Sequence, residues 1–109
     1  MKYEYNNIKF PPEVLKKAID EYQKDIEFGR AFGELDPTKK TKIEFPNVSH
    51  KIQSINDNTI KIEFLKTDMG ILAESMKNQL ELKIRGIGRF EEDDIKELKI
   101  ISFDLVNKG

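Results

Sequence analysis

The sequence of 109 residues contains no cysteine and a single histidine, His50. The absence of cysteine excludes disulfide bonds, thiolate metal sites and a cysteine nucleophile. One histidine without a ligand-spaced group of carboxylates argues against a metal site. The segment Gly86-Ile-Gly88 lacks the third glycine and the strand-to-helix setting of a dinucleotide-binding loop. We therefore expect neither a metal nor a cofactor.

Long apolar runs are also missing. No segment approaches the roughly 20 apolar residues that a membrane span requires, and no signal-peptide pattern opens the chain. Nineteen basic and twenty acidic residues give a net charge of −1, so no overall field attracts nucleic acid or an anionic membrane. We expect a single domain over residues 1–109, with neither nucleic acid nor a membrane as its partner.

The apolar pattern predicts an α+β domain, with a small antiparallel sheet or open barrel and helices packed outside it. Apolar residues at every fourth position predict an amphipathic helix over residues 12 to about 28, ended by Gly29. Thr67 and Asp68 provide cap chemistry for a second, short helix over residues 69 to about 78 that buries Leu72 and Met76.

Alternating apolar residues predict strands between and after these helices. We expect an edge strand near residues 3–8 that includes Ile8, extended segments at 41–45, 47–55, 59–65, 80–85 and 98–106, and turns at 56–58 and 91–94. Lys39, Lys40 and Lys42 form a small basic run, interpreted as a solvated turn.

His50 lies in the strand that begins at Asn47. Alternation places Val48 and His50 on one face and Ser49 on the other, so Ser49 and His50 are not expected to pair. A lone imidazole beside β-branched residues is either a packed core group or a positioned proton acceptor. The residues alone favour the packed group.

Several segments in register resemble the prohead maturation protease of tailed phages, in its myovirus-type branch. The similar segments are Phe10-Pro-Pro-Glu-Val-Leu-Lys-Lys-Ala-Ile19 ("YP-x-E-x-L-x-x-A-I"), Gly29-Arg-Ala-Phe-Gly-Glu-Leu-Asp36 ("GRALGEL-(D/N)-HP"), Val48-Ser-His-Lys-Ile52 ("VSHKI"), Thr67-Asp-Met-Gly70 ("T-x-x-G"), Arg85-Gly-Ile-Gly88 ("SSRG-x-G") and Ile101-Ser-Phe-Asp-Leu-Val106 ("FD-(I/L)-V"). The resemblance covers residues 10 to 106. It implies the fold of that family, a phage-head setting, and a match of His50 to the catalytic histidine.

The departures from this pattern concern the chemistry. Lys83-Ile84 stands where the family has the Ser-Ser that carries its nucleophile, and none of the four serines occupies that position. The family's histidine after "GEL-(D/N)" is also missing, because Asp36 runs directly into Pro37. Acyl transfer through serine needs a hydroxyl within hydrogen-bond reach of its base. The resemblance then implies that His50 is a vestige held by packing and that Arg85-Gly86 is a structural turn.

Three hypotheses follow. The first is a catalytically inactive, prohead-protease-like pseudoenzyme that serves as a structural or assembly component of a phage head, in the host cytoplasm during assembly or in the virion. It would bind capsid or scaffold proteins, or further copies of itself as a homo-oligomer. A serine or threonine oxygen within bonding range of the His50 imidazole would contradict the loss of activity.

The second hypothesis is an active serine peptidase with a displaced nucleophile. Ser102 would take that role if the last strand ran beside the histidine strand, with His50 as the base and Asp104 as the orienting acid. The third hypothesis is a small phage-encoded binding or inhibitor module on the same scaffold.

Overall fold

The computed structural model describes residues 1–5, 10–38 and 41–108. In chain order its elements are β1 (Lys2–Glu4), α1 (Pro12–Glu27), β2 (Phe32–Glu34), a 3-10 turn (Phe45–Asn47), β3 (Val48–Asn56), β4 (Thr59–Phe64), α2 (Asp68–Ser75), a second 3-10 turn (Lys77–Gln79), β5 (Leu80–Glu91) and β6 (Asp94–Asn107). Two expectations depend partly on residues outside the described ranges. The edge strand was expected to include Ile8, and the basic turn was expected to include Lys39 and Lys40.

Within the described residues, the strands form two antiparallel sheets, one in the order β1-β4-β3-β2 and the other a β5-β6 pair. A parallel bridge between Leu35 and Leu105 connects them, and the Asp36 N–H donates to the Leu105 carbonyl at 2.9 Å. β2 therefore lies between β3 and β6. The predicted α+β class is confirmed, and among these strands the sheets do not close into a barrel.

Helix α1 follows the predicted apolar stripe. Ala18 and Tyr22 are buried, and Val14 and Ile26 pack at the margin of the core. Gly29 takes a left-handed φ of 69° directly after the helix, a conformation that costs glycine little. The helix contacts β6, where the Phe103 ring lies 5.4 Å from the Tyr22 ring. Phe103 is fully buried and is the centre of the core.

Two hairpins shape the sheets. β3 and β4 are joined through Asp57, whose φ is 52°, at the turn that the sequence predicts. β5 and β6 are joined through Glu92 and Asp93, with φ values of 54° and 85°. Two successive residues with positive φ match the right-handed twist of hairpin strands. This turn lets the last two strands pair along 12 and 14 residues, well beyond the predicted segments.

Helix α2 corrects one expectation. The Thr67 side chain accepts a hydrogen bond from the Gly70 N–H at 3.0 Å, which confirms the predicted cap. However, Leu72 is 46% exposed and Ile71 is 62% exposed, whereas Gly70 and Ala73 are the buried residues. The helix ends at Ser75. Ile71 and Leu72 remain at the surface, whereas Met69 and, just after the helix, Met76 are partly buried against the core.

Two further segments differ from expectation. Residues 41–44 are irregular and lead into the 3-10 turn at Phe45–Asn47, because Pro46 favours a turn over a sheet ladder. Arg85 and Gly86 lie inside β5, and the register with β6 shifts between them. They are therefore a bulged part of a continuous hairpin and not a turn. Within the described residues, no helix is long and apolar enough to cross a membrane.

Candidate functional site

The His50 imidazole is held in the interior beside a bulge in β3. Gly33 pairs with His50 and Glu34 pairs with Val48, so the register skips Ser49. A bulge breaks the strict alternation of a strand and redirects a side chain. Val48, Ser49 and His50 are consequently all buried. The expectation that Ser49 and His50 face opposite ways is wrong, since the Ser49 Oγ lies 2.7 Å from the His50 Nδ1.

The second ring nitrogen reaches across β2 to the last strand. His50 Nε2 lies 2.8 Å from the carbonyl oxygen of Phe103. A methyl group on Gly33 would collide with both His50 Nε2 and this oxygen, so only glycine leaves room for the contact at this position of β2. Glycine is needed here for the space that its missing side chain leaves and not for an unusual backbone conformation, because the φ of Gly33 is not in the left-handed region.

These contacts define the tautomer of His50. A carbonyl oxygen only accepts hydrogen bonds, so Nε2 carries the proton and donates to Phe103. The neutral ring then presents Nδ1 as an acceptor, and the Ser49 hydroxyl donates to it. Burial lowers the pKa of His50 from 6.5 to about 4, although the hydrogen bond to the Phe103 carbonyl acts in the opposite direction. The imidazole is therefore neutral at physiological pH.

A serine oxygen within bonding range of the His50 ring was expected to contradict the loss of activity, and the Ser49 Oγ lies within that range. Access is a separate requirement, since the attacking oxygen must come within about 3–3.5 Å of a substrate carbon. Ser49 and His50 are both 0% exposed. The start of α2 covers this part of β3, because the Thr67 hydroxyl donates to the Val48 carbonyl at 3.1 Å.

The other three candidate residues lie together on the far side of β2. Ser102 Oγ donates to Asp104 Oδ1 at 2.8 Å and accepts from Arg85 Nε at 3.1 Å. Arg85 also bonds Asp104 through Nε and Nη2, at 2.8 and 3.1 Å. No hydrogen bond joins Ser102 to His50 among the described residues. His50 meets the last strand at the Phe103 carbonyl, whereas the Ser102 hydroxyl is engaged by Asp104 and Arg85.

Glu34 is the member of this cluster that the sequence analysis missed. Its Oε2 accepts from Arg85 Nη2 at 2.8 Å, and its backbone N–H donates to Asp104 Oδ1 at 3.0 Å. Its Oε1 has no hydrogen-bond partner among the described residues. The available signal was its position in the Gly29–Asp36 segment, where Glu34 matches the glutamate of "GRALGEL-(D/N)-HP".

One guanidinium, that of Arg85, pairs with two carboxylates in this cluster. The Arg85 side chain is only 10% exposed. Burial by itself lowers the pKa of Arg85, but its hydrogen bonds and charge pairing with Glu34 and Asp104 raise it overall. Burial raises the pKa of Asp104 despite hydrogen bonds from Glu34, Ser102 and Arg85. The guanidinium is therefore held by two internal carboxylates and by the Lys42 carbonyl, to which its Nη1 donates at 2.9 Å.

The two residues at the position of the missing serine pair have separate environments. The Lys83 side chain is 65% exposed, and its Nζ lies 3.9 Å from Glu81. Ile84 packs at the margin of the core, opposite Phe103 in the hairpin register. Neither side chain offers a nucleophile near the imidazole.

The described surface includes a groove of about 400 Å³ between α1 and the β5-β6 hairpin. Val14, Tyr22, Leu98 and Ile100 are among its lining residues, and neither His50 nor Ser102 lines it. In the part of the chain that the structure describes, no three His, Asp or Glu side chains are grouped to hold a metal ion.

No protein-family profile and no curated protein matches the chain by sequence. Among solved structures, the capsid assembly protease gp21 of bacteriophage T4 is similar, with a TM-score of 0.80 and 15% sequence identity. The match covers 100% of this chain and 82% of that chain. At this identity the likeness establishes the fold. The predicted prohead-protease-like architecture is confirmed, and the chain has the fold of the T4 capsid assembly protease.

Proposed function

We propose that the chain is a prohead-protease-like protein without peptidase activity, which acts as an assembly component of a phage head by binding capsid or scaffold proteins. The fold shared with a phage capsid assembly protease supports the setting. It supports a location in the host cytoplasm during assembly or in the virion.

The observation that carries the loss of activity is the state of His50. The Ser49 contact at 2.7 Å counts against the loss of activity, so the assignment depends on access to the ring and on its second nitrogen, which donates to the Phe103 carbonyl at 2.8 Å. The ring is fully buried and its pKa is lowered to about 4. A general base has to reach the proton that it abstracts in a bound substrate. This geometry instead supports a packing role.

The test uses one mixture and two measurements. The purified chain is incubated with phage capsid and scaffold proteins, and the mixture is sedimented and analysed by intact mass. We expect the chain to co-sediment with the capsid or scaffold assembly and every protein to keep its full mass. Specific cleavage that disappears in His50→Ala would contradict the inactive assignment. Failure to co-sediment with either assembly would contradict the binding role.

One observation favours a second candidate function, an active serine peptidase. The Ser49 hydroxyl donates to His50 Nδ1, which is the first requirement of an activated nucleophile. For this candidate, α2 would have to leave β3 so that substrate could enter.

A fluorophosphonate probe separates the two candidates. The inactive protein should remain unlabelled over hours, as should Ser49→Ala and Ser102→Ala. Labelling that is lost in Ser49→Ala and retained in Ser102→Ala would establish the peptidase. The reverse pattern would point to Ser102, the displaced nucleophile considered from the sequence.

A further inference from the structure

The outer edge of β5 is a regular strand edge that other described strands leave unpaired. The hairpin contains two register shifts, after Arg85 and after Arg89. In both, the unpaired residue lies on β6, namely Ile101 and Lys96. β5 itself therefore keeps an uninterrupted alternation, and it contains no proline. Bulges and prolines are common devices that prevent a strand edge from pairing with another chain.

The hydrogen bonds of β6 show which residues of β5 direct their backbone N–H and C=O groups towards the outer edge. The Phe103 and Leu105 carbonyls point away from β5, towards His50 and Asp36. Ile84 and Leu82 are their cross-strand partners. In an antiparallel pair, opposite residues that do not bond each other direct their N–H and C=O groups outward. The even-numbered residues of β5 therefore present their backbone groups along the outer edge.

The sequence along this edge is symmetric about Ile87. Reading outward from Ile87, the two sides carry glycine and glycine, arginine and arginine, isoleucine and phenylalanine, then lysine and glutamate, in Lys83-Ile84-Arg85-Gly86-Ile87-Gly88-Arg89-Phe90-Glu91. An antiparallel strand placed against its own copy about a two-fold axis pairs residues in this manner. The symmetry makes the edge complementary to itself.

We propose that β5 pairs with β5 of a second copy of this chain, antiparallel and centred on Ile87. Gly86 then lies opposite the second copy's Gly88, and both direct backbone groups outward as a bonded pair. Lys83 faces Glu91 with opposite charge. Ile84 faces Phe90, and Phe90 is otherwise 66% exposed. Cross-strand pairs of these kinds stabilise antiparallel sheets.

The opposed arginines do not prevent this pairing, because each is already neutralised within its own copy. Arg85 is bonded to Glu34 and Asp104. Arg89 lies 3.2 Å from Glu97, so it keeps a partner when Glu91, which is 2.8 Å away, is shared with the second copy's Lys83. The inference concerns self-association only and does not depend on the proposed function.

Disulfide trapping tests the two-fold axis directly, because the native chain has no cysteine. Ile87 faces itself across the axis as a non-bonded pair, with Cα atoms about 4.5 Å apart, and a disulfide spans Cα separations of roughly 4.4–6.8 Å. In a glutathione redox buffer, Ile87→Cys should form a covalent dimer at least tenfold faster than Ile71→Cys. Ile71 is a matched control, since it is an isoleucine that is 62% exposed on α2. Equal rates would overturn the proposal.

Charge reversal tests the register. Added to Ile87→Cys, Lys83→Glu places two glutamates opposite each other and should slow the crosslinking severalfold. Adding Glu91→Lys as well restores opposite charges at both ends of the pairing and should restore the rate. Lys66→Glu makes the same charge change at an exposed lysine outside β5 and should leave the rate unchanged. A rate that is indifferent to Lys83→Glu, or not restored by the double reversal, would overturn this register.

Sedimentation of the unmodified chain completes the test. The pairing is small compared with standard interfaces, so we expect a weak dimer with a dissociation constant on the order of 100 μM. A chain that sediments as a monomer at about 1 mM would refute the association even if crosslinks form.

Discussion

Protonation of His50 at low pH should destabilise the folded chain, and the size of this one contribution can be calculated. The folded pKa is about 4 and the ordinary value is 6.5, because burial disfavours the imidazolium. A proton on Nδ1 would also meet the Ser49 hydroxyl, which must then stop donating to that nitrogen. Protonation is therefore opposed by desolvation and by a lost hydrogen bond.

The sign and the pH range follow from proton linkage. Between pH 6.5 and 4 the unfolded chain binds a proton at His50 that the folded chain does not, so stability falls as the pH falls. The contribution is fully present above pH 6.5, and a separation of about 2.5 pKa units is worth about 3 kcal/mol once the pH is below 4. Between pH 7 and 4.5 the expected loss is about 2 kcal/mol. Asp104 acts in the opposite direction, because burial raises its pKa.

Urea unfolding at pH 7, 6, 5 and 4.5 measures this loss, with His50→Gln as the comparison. Glutamine keeps an N–H that can donate to the Phe103 carbonyl and does not titrate. The free energy of unfolding of the native chain should fall by about 2 kcal/mol more than that of His50→Gln over this range. If the free energy of unfolding of the native chain and that of His50→Gln depended equally on pH, the low pKa of His50 would be refuted. As the only histidine, His50 also gives an unambiguous proton NMR titration, and a measured pKa above 6 would refute it even if His50→Gln fails to fold.

Substitutions at three further residues test the packing around the site by urea unfolding at pH 7. Gly33→Ala should cost at least about 2 kcal/mol, because the added methyl overlaps the His50 ring and a neighbouring carbonyl; a cost below about 0.5 kcal/mol would contradict the close approach. Arg85→Met should cost about 3–5 kcal/mol, because it leaves two buried carboxylates without their partner. Arg85→Lys keeps the charge without the forked donor, so its stability should fall between those of the native chain and Arg85→Met. An Arg85→Met variant as stable as the native chain would refute the network. Thr67→Ala should cost about 1 kcal/mol as a lost helix cap, while Thr67→Ser should remain near the native value; equal costs for both would assign the effect to the methyl group.

The helices and turns were accessible to sequence reasoning because their determinants are local. The fourfold spacing of apolar residues predicted α1, and Gly29 predicted its end. Thr67 predicted the cap of α2 because a hydroxyl three residues before an N–H suffices to form it. The burial of Leu72 was predicted wrongly, since the orientation of a short helix depends on what it packs against, here the backbone near Gly70.

In the candidate site, sequence reasoning found several of the residues but not the contacts between them. Sequence similarity selected His50, Arg85, Ser102 and Asp104, and all four lie in the interior. Their partners were not foreseeable from alternation, because a bulge in β3 turns Ser49 towards the imidazole.

The sequence by itself determined the secondary structure that local spacing encodes, the absence of thiol chemistry, and the lack of a serine before Arg85. Only the tertiary structure decided which polar groups meet. The placement of β2 between β3 and β6 brings Glu34 to Arg85, through contacts between residues 51 positions apart. The same packing directs His50 to the Phe103 carbonyl and Ser102 to Asp104. Such contacts depend on sheet order and register, which arise from the packing of the whole chain and leave no periodic signal in any one segment.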